Sequence, residues 1–297
     1  MSGQRGDDLE DDFVPDELVA SSGEEDGRTE AVDGIEGLLS ADEDAEQEEA
    51  ERRGKAALSK RKRKEREKER RAKKRKLTET VDVVDPLSVA AQPVPKLADY
   101  MSVMQAKAFP NLSALELGDM LIPETAIVDT TRWTESRSLD RLVNFVIEVI
   151  PMLHKRLSQR SKAPGTPTLL FIAGAALRVA DVTRVLKDKR LRGDKGGDVA
   201  KLFSKHFKLE EHVSYLRRSK IGSAVGTPGR IGKLLCETGA LALSQLTHII
   251  LDISFQDAKN RNLLDIPETR EEVFKTVLGA PKVLEGIKQG KIQVVLF

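Results

Sequence analysis

Few residues in this 297-residue chain have the type and spacing to do chemistry. The sharpest group is Thr227-Pro228-Gly229-Arg230, which follows an apolar run at 221–225 and precedes helical spacing over 230–237. It reads as a strand-to-helix turn. The first N–H groups of a helix lack internal partners, its dipole favours an anion, and a guanidinium can bind phosphate bidentately. Thr227, Gly229 and Arg230 are therefore candidates to hold a phosphate. The plain alternative is a fold-maintaining turn with Arg230 paired to a carboxylate. Asp252, closing the run HIILD, could suggest magnesium, but a lone carboxylate at a strand end is more simply a turn former or helix cap. His154, His206, His212 and His248 show no metal-ligand spacing and read as surface or boundary residues, so no metal site is expected. Cys236 is the only cysteine, which excludes an internal disulfide and a Cys-based zinc site, and its place on the apolar face of a short helix suggests the core. Residues 192–198 (RGDKGGD) are glycine-rich but lack the spacing of a phosphate loop, so they read as a flexible loop.

The elements that would position these residues alternate. Strand-like runs stand at 125–129 (TAIVD), 168–173 (TLLFIA), 221–225, 248–252 and 293–297 (QVVLF). Helical spacing covers 139–157, 177–186, 201–207, 209–217, 230–237, 267–278 and 283–289. Strands alternating with helices imply a parallel sheet with crossover helices, hence a three-layer α/β domain, here expected over residues 97–297.

The charge of the chain is segregated. Its net charge of +1 hides an acidic segment, 1–50, with nineteen acidic and two basic residues, and a basic segment, 51–76, with sixteen basic and four acidic residues. Such blocks bury little apolar surface and should remain a long disordered N-terminal tail. The clusters Lys60, Arg61, Lys62, Arg63, Lys64 and Lys73, Lys74, Arg75, Lys76 read as a nuclear or nucleolar localisation signal with electrostatic affinity for RNA. Residues 77–96, with three prolines, read as a linker. There is no secretory signal and no membrane-length apolar run, so a soluble intracellular protein without a membrane partner is expected.

GTPGR at 226–230, its spacing to LSQLT at 243–247, and IILD at 249–252 together resemble the first, RecA-like lobe of DEAD-box RNA helicases. The resemblance covers residues 97–297 and implies RNA contact by Thr227, Gly229 and Arg230, and by Arg178, which follows the segment AGAAL standing at that family's next motif. The departures imply a lobe without catalysis. A phosphate loop needs glycines to wrap its backbone around a triphosphate. None occurs between Gly118 and Gly165, and the loop's place, 137–145, reads RSLDRLVNF. Trp133, just upstream, would either plug the vacant nucleotide pocket or pack in the core. Ile253 stands where that family has the carboxylate that activates water, and at Val294-Val295-Leu296-Phe297 the sequence stops where that family continues into a second lobe. No cofactor is therefore expected.

An acidic tail, a basic block, a linker and one such lobe in this order resemble the Cms-type subunits of the small-subunit processome, the early pre-ribosome. That resemblance implies a non-catalytic ribosome biogenesis factor in the nucleolus, with pre-rRNA or snoRNA and pre-ribosomal snoRNP and processome proteins as partners. The competing readings are a partner-assisted ATPase or helicase, and a chaperone of basic nuclear proteins that uses the acidic tail.

Overall fold

The computed structural model describes residues 88–297, apart from 160, 162 and 206. The acidic segment 1–50 and the basic clusters within 51–76 lie outside the described residues.

Helix α1 (Val94–Ala108) and the short α2 (Ala114–Asp119) open the lobe, followed by α3 (Leu142–Val149) and α4 (Pro151–Leu157). Strand β1 (Leu169–Ile172), α5 (Ala176–Leu186), α6 (Lys189–Arg192) and β2 (Asp198–Leu202) come next. Then follow α7 (Leu209–Arg218), β3 (Ile221–Gly226), α8 (Pro228–Cys236) and β4 (His248–Leu251). Helix α9 (Pro267–Glu272) runs on into a π-helical turn (Val273–Leu278), and α10 (Pro281–Lys288) leads to β5 (Gln293–Leu296).

The strands form one parallel sheet in the order β2-β3-β1-β4-β5. This is the three-layer α/β architecture with crossover helices that a RecA-like lobe requires. Strands β1, β3 and β4 are buried along their whole length, which is why they read as unbroken apolar runs and not as alternating ones. Successive side chains still point to opposite faces. Leu170, Ile172, Ala224, Ile249, Leu251 and Val294 pack under α1, α8, the π turn and α10. Leu169, Phe171, Val225, Ile250 and Val295 pack under α3, α4, α5 and α6.

Four expectations are corrected. The helix expected over 139–157 is divided: Pro151 has no N–H and pushes Ile150 out of the helical region (φ −125°), so α3 ends and α4 begins with that proline. The run TAIVD is not a strand. Pro123 leads into a 3-10 turn (Glu124–Ala126), and only Ile127 bridges to Val294. The helix expected over 201–207 is absent: residues up to Leu202 form the edge strand β2, and 192–198 is its tightly packed lead-in. A Cβ on Gly197 would lie 2.4 Å from the Gly222 nitrogen, so glycine there permits the close approach of β2 to β3. Finally, the lobe begins inside the expected linker. Ala90, in a short 3-10 turn (Val89–Ala91), is fully buried and its carbonyl accepts from the Thr130 hydroxyl at 2.9 Å.

Candidate nucleic-acid interface

The TPGR turn stands where expected, between β3 and α8. Thr227 is the N-cap residue in extended conformation, its N–H donating to the Leu202 carbonyl at 3.0 Å, and Pro228 takes the first helical position. What the turn faces differs from the phosphate-holding expectation. A Cβ on Gly229 would lie 2.4 Å from a Glu272 carboxylate oxygen, and one on Gly232 would lie 2.1 Å from the Thr276 hydroxyl. The two glycines let α8 press against α9 and the π turn, and a carboxylate already occupies the flank of the α8 N-terminus, where it favours the dipole as an anion would. Arg230 is buried at 8% exposure; its Nη2 donates to the Phe207 carbonyl at 2.8 Å and its Nη1 has no partner among the described residues. Burial lowers its pKa, with Glu210 and Glu211 acting in the opposite direction. It makes no ion pair among the described residues, so the carboxylate partner expected for it is replaced by a carbonyl.

Arg178 and Asp252, read separately from the sequence, are partners. The ends of β1 and β4 are neighbours in the sheet; Asp252 directly follows β4, and Arg178 lies in the first turn of α5, the helix that follows β1. Arg178 Nε donates to Asp252 Oδ2 at 2.7 Å, and its Nη2 reaches Oδ1 at 3.5 Å and Ser254 Oγ at 3.1 Å. Asp252 also accepts from Ser254 Oγ at 2.8 Å and from the Phe255 N–H at 3.3 Å, so it is the turn former expected, with an added ion pair. The guanidinium stacks on the Phe255 ring at 5.3 Å. The Asp252 side chain is wholly buried and that of Arg178 is 12% exposed. The guanidinium is thus committed inside the lobe.

The stretch that carries no glycine is closed by side chains. Arg137 is 4% exposed. It donates to Leu296 O at 3.3 Å, Thr130 O at 3.3 Å and Thr130 Oγ1 at 2.9 Å, and lies over the Phe145 ring at 5.2 Å. Burial lowers its pKa to about 10. Trp133 donates to Ser136 O at 3.3 Å and meets Phe145 edge-on at 5.6 Å, and Phe145 meets Phe297 at 5.0 Å. Trp133 is therefore core packing beside the end of β5. Sequence reading missed Arg137, since a lone arginine in a polar loop carries no signal of the carbonyls it will meet.

Two histidines and the cysteine correct their readings. His212 and His248 are buried, each at 5% exposure, and Cys236 is exposed. Both imidazoles have pKa values lowered to about 4, first by burial and then by the nearby Arg230 for His212 and Arg156 for His248. No group of His, Cys, Asp and Glu among the described residues could hold a metal ion, and no helix among them is long and apolar enough to cross a membrane.

Comparison with known proteins gives three findings. The model of the family described as "CMS1: U3-containing 90S pre-ribosomal complex subunit" matches residues 42–297. Protein CMS1 of Chaetomium thermophilum is 38% identical over 184 residues, covering 62% of this chain and 71% of that protein. Protein cms1 of Schizosaccharomyces pombe is 32% identical over 201 residues, 68% of this chain and 69% of that protein, and human Protein CMSS1 is 31% identical over 203 residues, 68% and 66%. Among solved structures, a DEAD box protein from Methanococcus jannaschii aligns at 18% identity and TM-score 0.34, over 55% of this chain and 37% of that one. Dbp5 of S. cerevisiae, bound to RNA and ADP BeF3, aligns at 15% identity and TM-score 0.36, over 55% of this chain and 33% of that one. This chain thus spans about a third of each of those two chains.

Proposed function

The chain belongs to the CMS1 family of U3-containing 90S pre-ribosomal complex subunits, and on that premise we propose that it is a non-catalytic scaffold that binds RNA and protein during early small-subunit assembly in the nucleolus. The observation that carries the non-catalytic part is the closure of the sheet's carboxyl edge. Arg137 bonds to the last strand's carbonyl and Arg178 bonds to Asp252, so the groups that could meet a nucleotide or its metal are occupied by each other. With the bond of Arg230 to the Phe207 carbonyl, these contacts make Arg178 and Arg230 framework residues, and Glu272 stands against Gly229, so the TPGR turn serves the packing of α8 and the lobe meets RNA on another of its surfaces. Localisation and a share of RNA affinity are assigned to the basic clusters at 60–64 and 73–76.

Calorimetry of the full chain with ATP and magnesium tests the reading, paired with fluorescence anisotropy on a labelled RNA hairpin. No heat with nucleotide, and RNA binding that weakens steeply with salt, are the expected results. Saturable nucleotide binding by folded protein overturns the non-catalytic reading, and absence of RNA binding overturns the RNA part. Deleting residues 51–76 should disperse a fluorescent fusion from the nucleolus.

A further inference from the structure

We infer that the amino-terminal edge of the sheet, opposite the TPGR turn, is a docking surface for the phosphate backbone of RNA; this rests on the RNA-binding part of the function proposed above and names the surface of the lobe that performs it.

Four helices, α4, α5, α6 and α7, end on this edge. His154 Nε2 of α4 is 2.8 Å from the Arg190 carbonyl of α6. The chain after α6 then packs against the end of α4, so closely that a Cβ on Gly196 would lie 2.6 Å from the Leu157 carbonyl. Asp198 N–H donates to the Lys220 carbonyl at 3.1 Å, joining this stretch to the end of α7. The joined segments 155–156, 187–198 and 217–220 hold ten basic and three acidic residues. Arg190 pairs with Asp188 and Arg192 with Asp198. Lys155, Arg156, Lys187, Lys189, Lys195, Arg217 and Lys220 are exposed and make no ion pair among the described residues.

Basic residues at helix ends are an ordinary response to the helix dipole, so the excess must be weighed against it. Each helix carboxyl end is equivalent to about half a negative charge, hence at most about two for four helices. That is far short of what these segments carry, and the surplus is available to a polyanion. On the opposite edge Lys208 and Lys259 are exposed without an ion pair among the described residues, but most other cations are engaged. There Arg261 pairs with Asp257, Arg141 with Glu135 and Asp140, Arg178 with Asp252, and Lys201 lies over the rings of Phe203 and Phe207.

The surface chemistry favours nucleic acid over a protein partner. Protein interfaces are built around buried apolar and aromatic anchors, whereas nucleic-acid interfaces are polar and strongly positive. The large apolar side chains exposed on the lobe are Val103, Leu115, Leu121, Met152, Leu177 and Phe207, and none falls in the three basic segments.

Lysine acetylation read by mass spectrometry on the full chain, with and without an RNA hairpin, tests this position by position. Lys155, Lys189, Lys195 and Lys220 should become protected on RNA binding, while Lys201, Lys208 and Lys233 stay reactive. In parallel, the K155A/R156A/K189A/K195A/K220A variant should bind the hairpin with a slope of log affinity against log salt reduced by about 2–4, at about 0.7–0.9 for each phosphate no longer neutralised. RNA binding with these lysines still reactive and the slope unchanged overturns the inference while leaving RNA binding itself intact. Absence of RNA binding fails the underlying function instead. Lysines protected before RNA is added and not displaced by it would mean that the acidic segment 1–50 occupies the surface, which also overturns the inference.

Discussion

Replacing Asp252 should unfold the lobe more readily instead of altering any chemistry. In the wild-type protein the Asp252 carboxylate is wholly buried and its charge is met by Arg178, which is 12% exposed. Taking one partner from a buried ion pair costs about 3–5 kcal/mol, because the remaining charge stays buried and unmet. Asp252→Ala should fall at the lower end, about 3 kcal/mol, since Arg178 has some exposure through which to reach water. Arg178→Met strands the wholly buried carboxylate, but Ser254 and the Phe255 N–H still donate to it, so a cost of similar size is expected. The double variant Arg178→Met/Asp252→Leu removes both charges, and should be more stable than either single change, because replacing a whole buried pair with apolar groups is often near neutral. The coupling between the two sites should therefore reach about 2 kcal/mol or more. Urea unfolding of the full chain, followed by the fluorescence of Trp133, reads this directly, as that residue is the sole tryptophan and is buried against Phe145. Single variants that each cost under about 1 kcal/mol, or costs that simply add in the double variant, would show that the ion pair does not help to hold α5 to the end of β4.

Other outcomes follow from the same structure. Arg137→Met should destabilise by about 1–3 kcal/mol, since it leaves the Leu296 carbonyl buried without the guanidinium donor, while the Trp133 N–H still donates to the Thr130 carbonyl; calorimetry should still detect no ATP binding. Gly232→Ala should lower the melting temperature by several degrees in a thermal scan, because its new methyl meets the Thr276 hydroxyl; an overpacked contact of about 1–3 kcal/mol moves a lobe of this size by about 2–4 °C per kcal/mol. Stability should fall as pH drops through the window from about 6.5 to about 4. His212 and His248 take up protons in the unfolded chain near the ordinary value of about 6.5 but stay neutral in the fold down to about 4. The unfolded state thus binds more protons across that window, and the His248 imidazole costs at most about 2 kcal/mol at pH 5 relative to neutral pH, with His212 adding less because solvent screens it more. Urea midpoints at pH 7 and pH 5 should differ accordingly, and His248→Gln should narrow the gap.

Much of the architecture was legible because it rests on local pattern. Runs such as TLLFIA and HIILD are apolar at every position, as strands covered on both faces must be, and the spacing of Val179, Val182 and Leu186 marks a helix face whatever lies beneath it. The TPGR turn was legible for the same reason, since proline at the first helical position and glycine after it act on their own backbone. Strand β2 was not. Its five residues pair only with β3, and the glycines that admit that contact look, in one dimension, like a loop.

The candidate site divides along the same line. The amino-acid order by itself determined that no glycine loop precedes α3, that the basic and acidic blocks are separate, and that a strand-to-helix turn carries Thr227 to Arg230, because each is a statement about neighbours in the chain. Only the tertiary structure decided that Arg178 belongs to Asp252, 74 residues away, that Arg137 bonds to a carbonyl 159 residues away, and that Arg230 is buried. A guanidinium extends far enough to choose among many partners, and burial alone sets whether it meets solvent, a carbonyl or a carboxylate, so its role is chosen by packing that no local spacing encodes.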